Sequence, residues 1–79
     1  MGYPRPVPQK LPAKLLAIRQ SIGASQSQMV KALNLKISGA RICEYEHGTR
    51  EPNLLVLLAY ARLAEIPLEY IIDDGLNLK

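Results

Sequence analysis

The sequence predicts an all-α protein, a compact bundle of five short helices in one domain. Its 79 residues suffice for one domain at most, and a chain of this length buries roughly 60 to 65 percent of its unfolded surface on folding. Hydrophobic residues make up 48 percent of the chain and are mainly aliphatic, because Trp and Phe are absent. Small helices that pack closely through Leu, Ile, Val and Ala are the simplest fold for that composition.

The first helix is expected at about residues 12–22, after an extended arm at residues 1–10. Prolines at positions 4, 6, 8 and 12 fix the backbone and remove N–H donors, which prevents a helix before about Leu11. Gly23 then stands where a left-handed cap is expected. Between these limits the apolar residues recur at helical spacing, and they are Leu11, Leu15, Ile18 and Ile22.

Two short helices follow, each with a capping residue. Ser25 and Gln28 have the spacing of a capping box for the second helix, whose buried face is Met29, Val30 and Leu33. The segment NLKI makes the turn, and Ser38 can cap a third helix at about residues 39–47. Ile42 and Tyr45 supply its inner face, and Gly48 ends it.

The last two helices differ in character. Asn53 is a plausible cap for the segment LLVLLAYARLAEI, which is apolar nearly all round and is therefore expected in the middle of the bundle. Pro67 begins a fifth helix through LEYIIDD, which should end near Gly75. The predicted organisation is an arm at residues 1–10, one domain at residues 11–75 and a tail at residues 76–79.

The charge is distributed unevenly along the chain. Residues 1–50 carry eight basic and two acidic side chains, whereas residues 51–79 carry two basic and five acidic ones. A basic first half fits a domain whose first half faces a polyanion. Ordinary solvated surface charge is the alternative explanation.

Cys43 is the only cysteine, which excludes an intramolecular disulfide and gives no reason to expect an oxidising compartment. Cys43 and His47 are too few for a closed zinc site, and neither has a companion for nucleophilic catalysis. We therefore expect no enzyme activity, no metal, no cofactor and no small-molecule substrate. No apolar run approaches a membrane span, so a soluble, cytoplasmic protein is expected.

Residues 11–73 resemble the helix-turn-helix domain of phage repressors and Cro proteins, the XRE-like family. The matching residues are Ser25 and Gln26, the turn from Leu33 to Ser38, Ile42, Tyr45, Glu46 and Gly48, then Arg50 and Pro52, and finally Ile66, Pro67, Leu68 and Ile71. The resemblance implies a lambda-repressor-like bundle of prokaryotic or phage origin. It also implies sequence-specific binding of double-stranded DNA by a repressor-like transcriptional regulator.

The sequence departs from the family in the turn and at the start of the third helix. From Leu33 to Glu46 it has two residues more than the usual pattern, because NLKI replaces Gly-Val. Gly39 and Ala40 stand where many relatives carry Gln, Arg or Ser. Base reading is therefore expected to depend on few side chains.

In such a domain the third helix enters the major groove. By resemblance, the residues that face bases are Ser38, Gly39, Ala40, Arg41 and Glu44. Arg41 could pair with guanine and Glu44 could accept from a cytosine amino group. An exposed Arg41 to Glu44 pair, three residues apart on one helix, is the alternative.

Phosphate contacts are expected from residues flanking the two helices, namely Gln26, Lys36, Thr49, Arg50 and Asn53. For Gln26, plain surface capping is the alternative. Relatives pair the residue at Glu46 with an arginine at the position of Arg19, which implies a structural ion pair here. Arg5 and Lys10 in the arm could reach a minor groove, or the arm is only a leader.

A dimer on a palindromic or repeated operator is expected. The C-terminal residues Tyr70, Ile71, Ile72 and Leu76 are its candidate contacts, unless these residues only complete the core. The alternative function is a protein-binding module, such as an antitoxin or an anti-repressor-like protein. The sparse third helix and the acidic second half leave room for that alternative.

Overall fold

The computed structural model describes residues 8–78, which form five α-helices and no strand. These are α1 at Leu11–Ile22, α2 at Gln26–Leu33, α3 at Gly39–His47, α4 at Leu54–Ala64 and α5 at Glu69–Ile72. The predicted all-α fold is confirmed. The longest helix has 12 residues, and none in residues 8–78 is long and apolar enough to cross a membrane. Residues 1–7 of the predicted arm, with Arg5, lie outside the described residues.

The helix ends follow the local signals in the sequence. Ser25 and Gln28 form the reciprocal capping box of α2, and Ser38 and Asn53 cap α3 and α4 through their side chains. Gly23 and Gly48 adopt the left-handed conformation, with φ of 78° and 77°, directly after α1 and α3. Each cap satisfies backbone groups that a helix end leaves without an intrahelical partner. The predicted caps are confirmed.

One hydrophobic core connects all five helices. Its fully buried side chains are Leu15, Met29, Ile42, Tyr60 and Ile71, one from each helix. The Tyr60 hydroxyl has no hydrogen-bond partner among the described residues, and burial raises the pKa of this phenol. The hydroxyl therefore stays protonated under all ordinary conditions.

The buried Lys14 joins α1 to the C-terminal segment. Its side chain is on the core side of α1, and the residue is only 5 percent exposed. The ammonium group donates to the carbonyl oxygens of Tyr70, Asp73 and Leu76 at 2.8, 2.8 and 2.7 Å. These three acceptors use all three donors of the ammonium, which is the condition for burying such a group.

Asp74 makes a second connection between the same two segments. Its carboxylate accepts hydrogen bonds from the backbone N–H groups of Gln9 and Lys10, at 2.7 and 3.0 Å. These groups lie just before α1, where free N–H groups and the helix dipole favour an anion. The bond from Lys10, followed by that from Gln9, lowers the pKa of the Asp74 carboxyl below its ordinary value of 3.8.

Replacing Asp74 by asparagine should make stability less sensitive to acid. A carboxyl whose pKa is lower in the folded than in the unfolded state contributes stability at neutral pH, and this is lost as the pH falls through the folded-state pKa. Between about pH 5 and pH 2, the free energy of unfolding measured with urea should therefore fall less steeply for Asp74→Asn than for the wild type. Glu69→Gln, with the same charge change on α5, is the control. Parallel curves for Asp74→Asn and wild type would contradict this assignment.

Four predicted boundaries need correction. α1 begins at Leu11, one residue before the predicted Pro12. α4 ends at Ala64, two residues before the end of the predicted segment, because Glu65 adopts the left-handed conformation with φ of 58°. α5 begins at Glu69, two residues after the predicted Pro67. α5 ends at Ile72 and not near Gly75, because Asp73 has an extended backbone with ψ of 112°. The Asp73 side chain accepts a hydrogen bond from the Gly75 N–H at 2.8 Å, and the Asp73 carbonyl is held by Lys14. These contacts stabilise a turn in place of further helix.

Two predictions of burial were also wrong, and for Ile71 the structure supports the alternative that the C-terminal residues complete the core. Ile22, the last residue of the predicted apolar stripe, is 43 percent exposed. α4 does not lie wholly inside the bundle, because Leu54 and Leu55 in its first turn are 65 and 68 percent exposed. Ile71 is fully buried and so belongs to the core, which removes it from the candidate dimer contacts.

Candidate nucleic-acid interface

α2, the following turn and α3 form the unit that carries most of the predicted site. Asn34 ends α2 in the left-handed conformation, with φ of 56°, which asparagine tolerates better than most residues. Leu35 and Ile37 are half-buried and pack against the core. Two apolar side chains therefore anchor the long turn to the core, and Lys36 between them is exposed.

Arg19 and Glu46 form a bidentate ion pair between α1 and α3. Arg19 Nε donates to Glu46 Oε2 at 2.6 Å, and Arg19 Nη2 donates to Oε1 at 3.0 Å. The Glu46 side chain is 3 percent exposed and that of Arg19 is 18 percent exposed. The hydrogen bond to Glu46 raises the pKa of the Arg19 guanidinium. This pair fixes the position of α3 relative to α1.

Two further contacts extend the ion pair to the start of α2. Arg19 Nη1 donates to the carbonyl of Ala24 at 3.0 Å, and Gln26 Nε2 donates to Glu46 Oε1 at 3.2 Å. The Gln26 amide thus has a structural partner in the free protein. A phosphate contact by Gln26 remains a prediction, and it is compatible with the backbone N–H groups at the start of α2.

The predicted base-contacting residues are not equally accessible. Ser38 and Ala40 are exposed, and the Ser38 hydroxyl also accepts from the Arg41 N–H at 3.2 Å. Gly39 is half-buried against α2, where an added Cβ would lie 3.7 Å from Ser27 Oγ, an ordinary contact. Gly39 therefore faces α2 in part. Base contact by these residues remains a prediction.

Arg41 and Glu44 lie on the outward face of α3, and Arg50 in the next loop joins them. Glu44 Oε1 is 3.2 Å from Arg41 Nε and 3.0 Å from Arg50 Nε. The side chains of Arg41, Glu44 and Arg50 are 41, 43 and 50 percent exposed. The intrahelical pair considered from the sequence is thus present, and it shares its carboxylate with a second arginine.

The remaining phosphate candidates lie in the segment between α3 and α4. Thr49 donates through its N–H and its hydroxyl to the carbonyl of Glu44, at 3.1 and 3.3 Å. Asn53 is exposed, and its side-chain oxygen accepts from the Val56 N–H at 3.0 Å as the cap of α4. Phosphate contacts by Lys36, Thr49, Arg50 and Asn53 remain predictions.

Cys43 and His47 lie on successive turns of α3, with Cys43 Sγ 3.4 Å from His47 Nδ1. His47 Nδ1 is also 2.8 Å from the Cys43 carbonyl oxygen, and a hydrogen on Nδ1 is donated to that oxygen. Within residues 8–78, no group of three or more His, Cys, Asp or Glu side chains could hold a metal ion.

Sequence reasoning missed two contacts at this site. The Arg50 to Glu44 bond crosses the end of α3, and no helical spacing rule joins residues six apart. The Gln26 to Glu46 bond joins two helices and has no local signal. Both contacts depend on how α3 packs, so the structure was needed to find them.

α2, the turn and α3 pack as one unit within the five-helix bundle, and this arrangement defines a helix-turn-helix domain. The fold is similar to that of the c2 repressor protein of phage P22, solved in complex with synthetic operator 9T in the presence of Tl+, with a TM-score of 0.71. The two chains are 22 percent identical, and the match covers 81 percent of this chain and 94 percent of that chain. No protein-family model matches the sequence, and no curated protein matches it significantly. The repressor-like fold expected from the sequence is confirmed.

Proposed function

We propose that this protein binds double-stranded DNA in a sequence-specific manner, as a repressor-like transcriptional regulator with α3 in the major groove. The observation that carries the proposal is the pair of half-exposed arginines, Arg41 on α3 and Arg50 in the following loop. Cationic side chains at these two places suit base reading and phosphate binding respectively. The similar fold of a repressor solved with a synthetic operator supports the same function.

The ion pair of Arg19 with Glu46 supports this proposal, because a recognition helix must keep its orientation when it meets DNA. An arginine that reads guanine needs its two donors within hydrogen-bond distance of the O6 and N7 atoms of the base. Packing through Ile42 and Tyr45 and the ion pair at Glu46 hold α3 on its inner side. The outer side of α3 is therefore free to contact DNA.

We further propose that two copies bind one palindromic operator inside a prokaryotic or phage-infected cell. Half-sites about 34 to 36 Å apart would match one turn of DNA. With Ile71 in the core, the C-terminal contacts that remain are Tyr70, Ile72 and Leu76. We also propose a binding protein rather than an enzyme: the Cys43 thiol lies 3.4 Å from His47 Nδ1, but no third side chain among the described residues orients this imidazole.

Selection of bound sequences from a random duplex pool, at a stated salt concentration, tests the proposal. Wild-type protein should enrich one motif with two-fold symmetry. Arg41→Ala should then relax the preference at one base pair of each half-site, at a cost of about 1 to 3 kcal/mol. Arg50→Ala should weaken binding to all sequences alike and, because each of the two copies loses one phosphate contact, reduce the slope of log K against log salt by about 1.8.

Arg62→Ala is the matched control, because Arg62 is an exposed arginine near the end of α4. It should leave both the motif and the base preference unchanged. Absence of binding to any duplex at low salt would contradict the proposed function. Equal effects of Arg41→Ala and Arg50→Ala on base preference would contradict the separate roles given to them.

A protein-binding module is the second candidate function, and one surface favours it. Leu55 is exposed beside a groove of about 470 Å³ that is lined by residues of α2, the turn and α4: Ala32, Leu33, Asn34, Leu35, Leu55, Leu58, Ala59, Arg62 and Leu63. Exposed apolar side chains next to a groove suit a protein contact. The duplex selection separates the two candidates, since a module of this kind would enrich no DNA motif.

A further inference from the structure

Glu44 is an acidic residue on the face of α3 that is proposed to meet DNA. We propose that Glu44 is a positioning residue, which holds Arg41 and Arg50 ready for DNA and does not itself read a base. This inference rests on the proposed function. It differs from the expectation from the sequence, in which Glu44 accepts a hydrogen bond from cytosine.

The Glu44 carboxylate already has two arginine partners in the free protein. One oxygen, Oε1, is close to the Nε atoms of both Arg41 and Arg50. The Glu44 carbonyl oxygen also accepts from the N–H and the hydroxyl of Thr49. Glu44 thus connects α3 to the loop through its backbone and through its side chain.

The geometry leaves the arginines able to bind a ligand. Arg50 Nε donates a hydrogen bond to Glu44 Oε1, and Arg41 Nε lies within ion-pair distance of the same oxygen. Each guanidinium can still present its two Nη groups, and these form a bidentate pair suited to guanine or to a phosphate. Because α3 supplies Arg41 and the loop supplies Arg50, the shared carboxylate sets the distance between a base-reading group and a phosphate-binding group. It therefore sets the register of one relative to the other.

The charges agree with this role. A lone carboxylate facing DNA would be repelled by the phosphates, but here one negative charge lies between two positive ones and the cluster keeps a net positive charge. The three side chains are about half exposed, so their pairing adds little to the stability of the fold. Its effect is to restrict two long side chains before binding, which lowers the entropy lost on binding.

A double-mutant cycle on DNA binding tests the inference. Discrimination is measured as the ratio of affinities for the selected site and for the same site changed at the base pair that Arg41 reads. Glu44→Gln should lower this ratio about fivefold, the low end of what a bidentate pair contributes. Affinity for random duplex should rise in the same variant, because one repelling charge is gone.

In an Arg41→Ala background, Glu44→Gln should no longer change that ratio, since the residue acts through Arg41. An equal change in both backgrounds would show that Glu44 reads a base directly and would overturn the inference. An unchanged ratio in the wild-type background would also overturn it. Glu69→Gln, which removes a carboxylate on α5, is the control for charge, and thermal melting checks that each variant folds.

A measurement without DNA separates this inference from the proposed function. In the free protein, NMR relaxation of the Nε–H groups of Arg41 and Arg50 should show greater mobility in Glu44→Gln than in wild type. Unchanged mobility would overturn the positioning role even if the protein binds DNA. If the wild type binds no duplex at low salt, the proposed function fails and the DNA role of Glu44 fails with it.

Discussion

Replacing Glu46 by alanine is expected to lower the free energy of unfolding by about 3 kcal/mol or more. The change removes a carboxylate that is 3 percent exposed and leaves the Arg19 guanidinium without its two hydrogen bonds at 2.6 and 3.0 Å. Gln26 loses its partner as well. In a domain of this size the midpoint of thermal unfolding should fall by more than about 10 °C.

The effect on DNA binding should be smaller than the effect on stability, because Glu46 faces the protein interior. Affinity measured well below the melting midpoint should therefore change little. Glu44→Ala is the matched control for stability alone: it removes a carboxylate from the outer side of the same helix, where a surface pair contributes at most about 1 kcal/mol. Equal melting temperatures for Glu46→Ala and wild type would refute the structural role of the pair.

A paired replacement separates the loss of a charge from the loss of packing. Arg19→Met combined with Glu46→Leu removes both charges and keeps apolar volume between α1 and α3. Since the cost of the single change comes from an uncompensated charge, the double variant should recover most of the stability. A double variant less stable than Glu46→Ala would show that the hydrogen bonds to Ala24 and Gln26 matter more than the charge.

Replacing Lys14 by methionine should lower the free energy of unfolding by about 2 to 4 kcal/mol. Hydrogen bonds from a charged donor contribute about 1.5 to 3 kcal/mol each, and part of this is offset because methionine is buried more easily than an ammonium group. The carbonyls of Tyr70, Asp73 and Leu76 lose their shared donor. Chemical denaturation of the variant measures the loss.

The loss should be concentrated at the C-terminal end of the described chain. Hydrogen exchange at the amides of residues 70–76 should accelerate in Lys14→Met more than exchange in α2 and α3, because this segment would open locally. Lys31→Met, the same change at an exposed lysine of α2, is the control and should be close to neutral. Equal stability of Lys14→Met and wild type would contradict the assigned role of Lys14.

The parts of the fold that depend on neighbouring residues were predictable from the sequence. The caps at Ser25, Ser38 and Asn53 and the glycines at 23 and 48 act over three or four residues, so their spacing is enough to place helix ends. Long-range contacts set the rest. α5 is shorter than predicted because Lys14, 56 residues before Tyr70, binds the Tyr70 carbonyl within the helix and the Asp73 and Leu76 carbonyls after it.

The burial of Lys14 can be predicted from its position in the sequence, although not from its residue type. Lys14 stands three residues after Leu11 and four before Ile18, which places it on the apolar face of α1. A lysine in that position must find acceptors or stay unburied. By contrast, nothing in the sequence indicates that Arg50 meets Glu44 or that α4 exposes Leu54 and Leu55, because both depend on how α3 and α4 pack.

The two sides of α3 differ in what holds them. Ile42, Tyr45 and Glu46 face inward and attach the helix to the core and to α1, whereas Ala40, Arg41, Cys43, Glu44 and His47 are at least partly exposed. Substitutions on the outer side can therefore alter the ligand without unfolding the protein. The domain offers a scaffold on which a new binding preference can evolve, or be engineered, by changing a few adjacent positions.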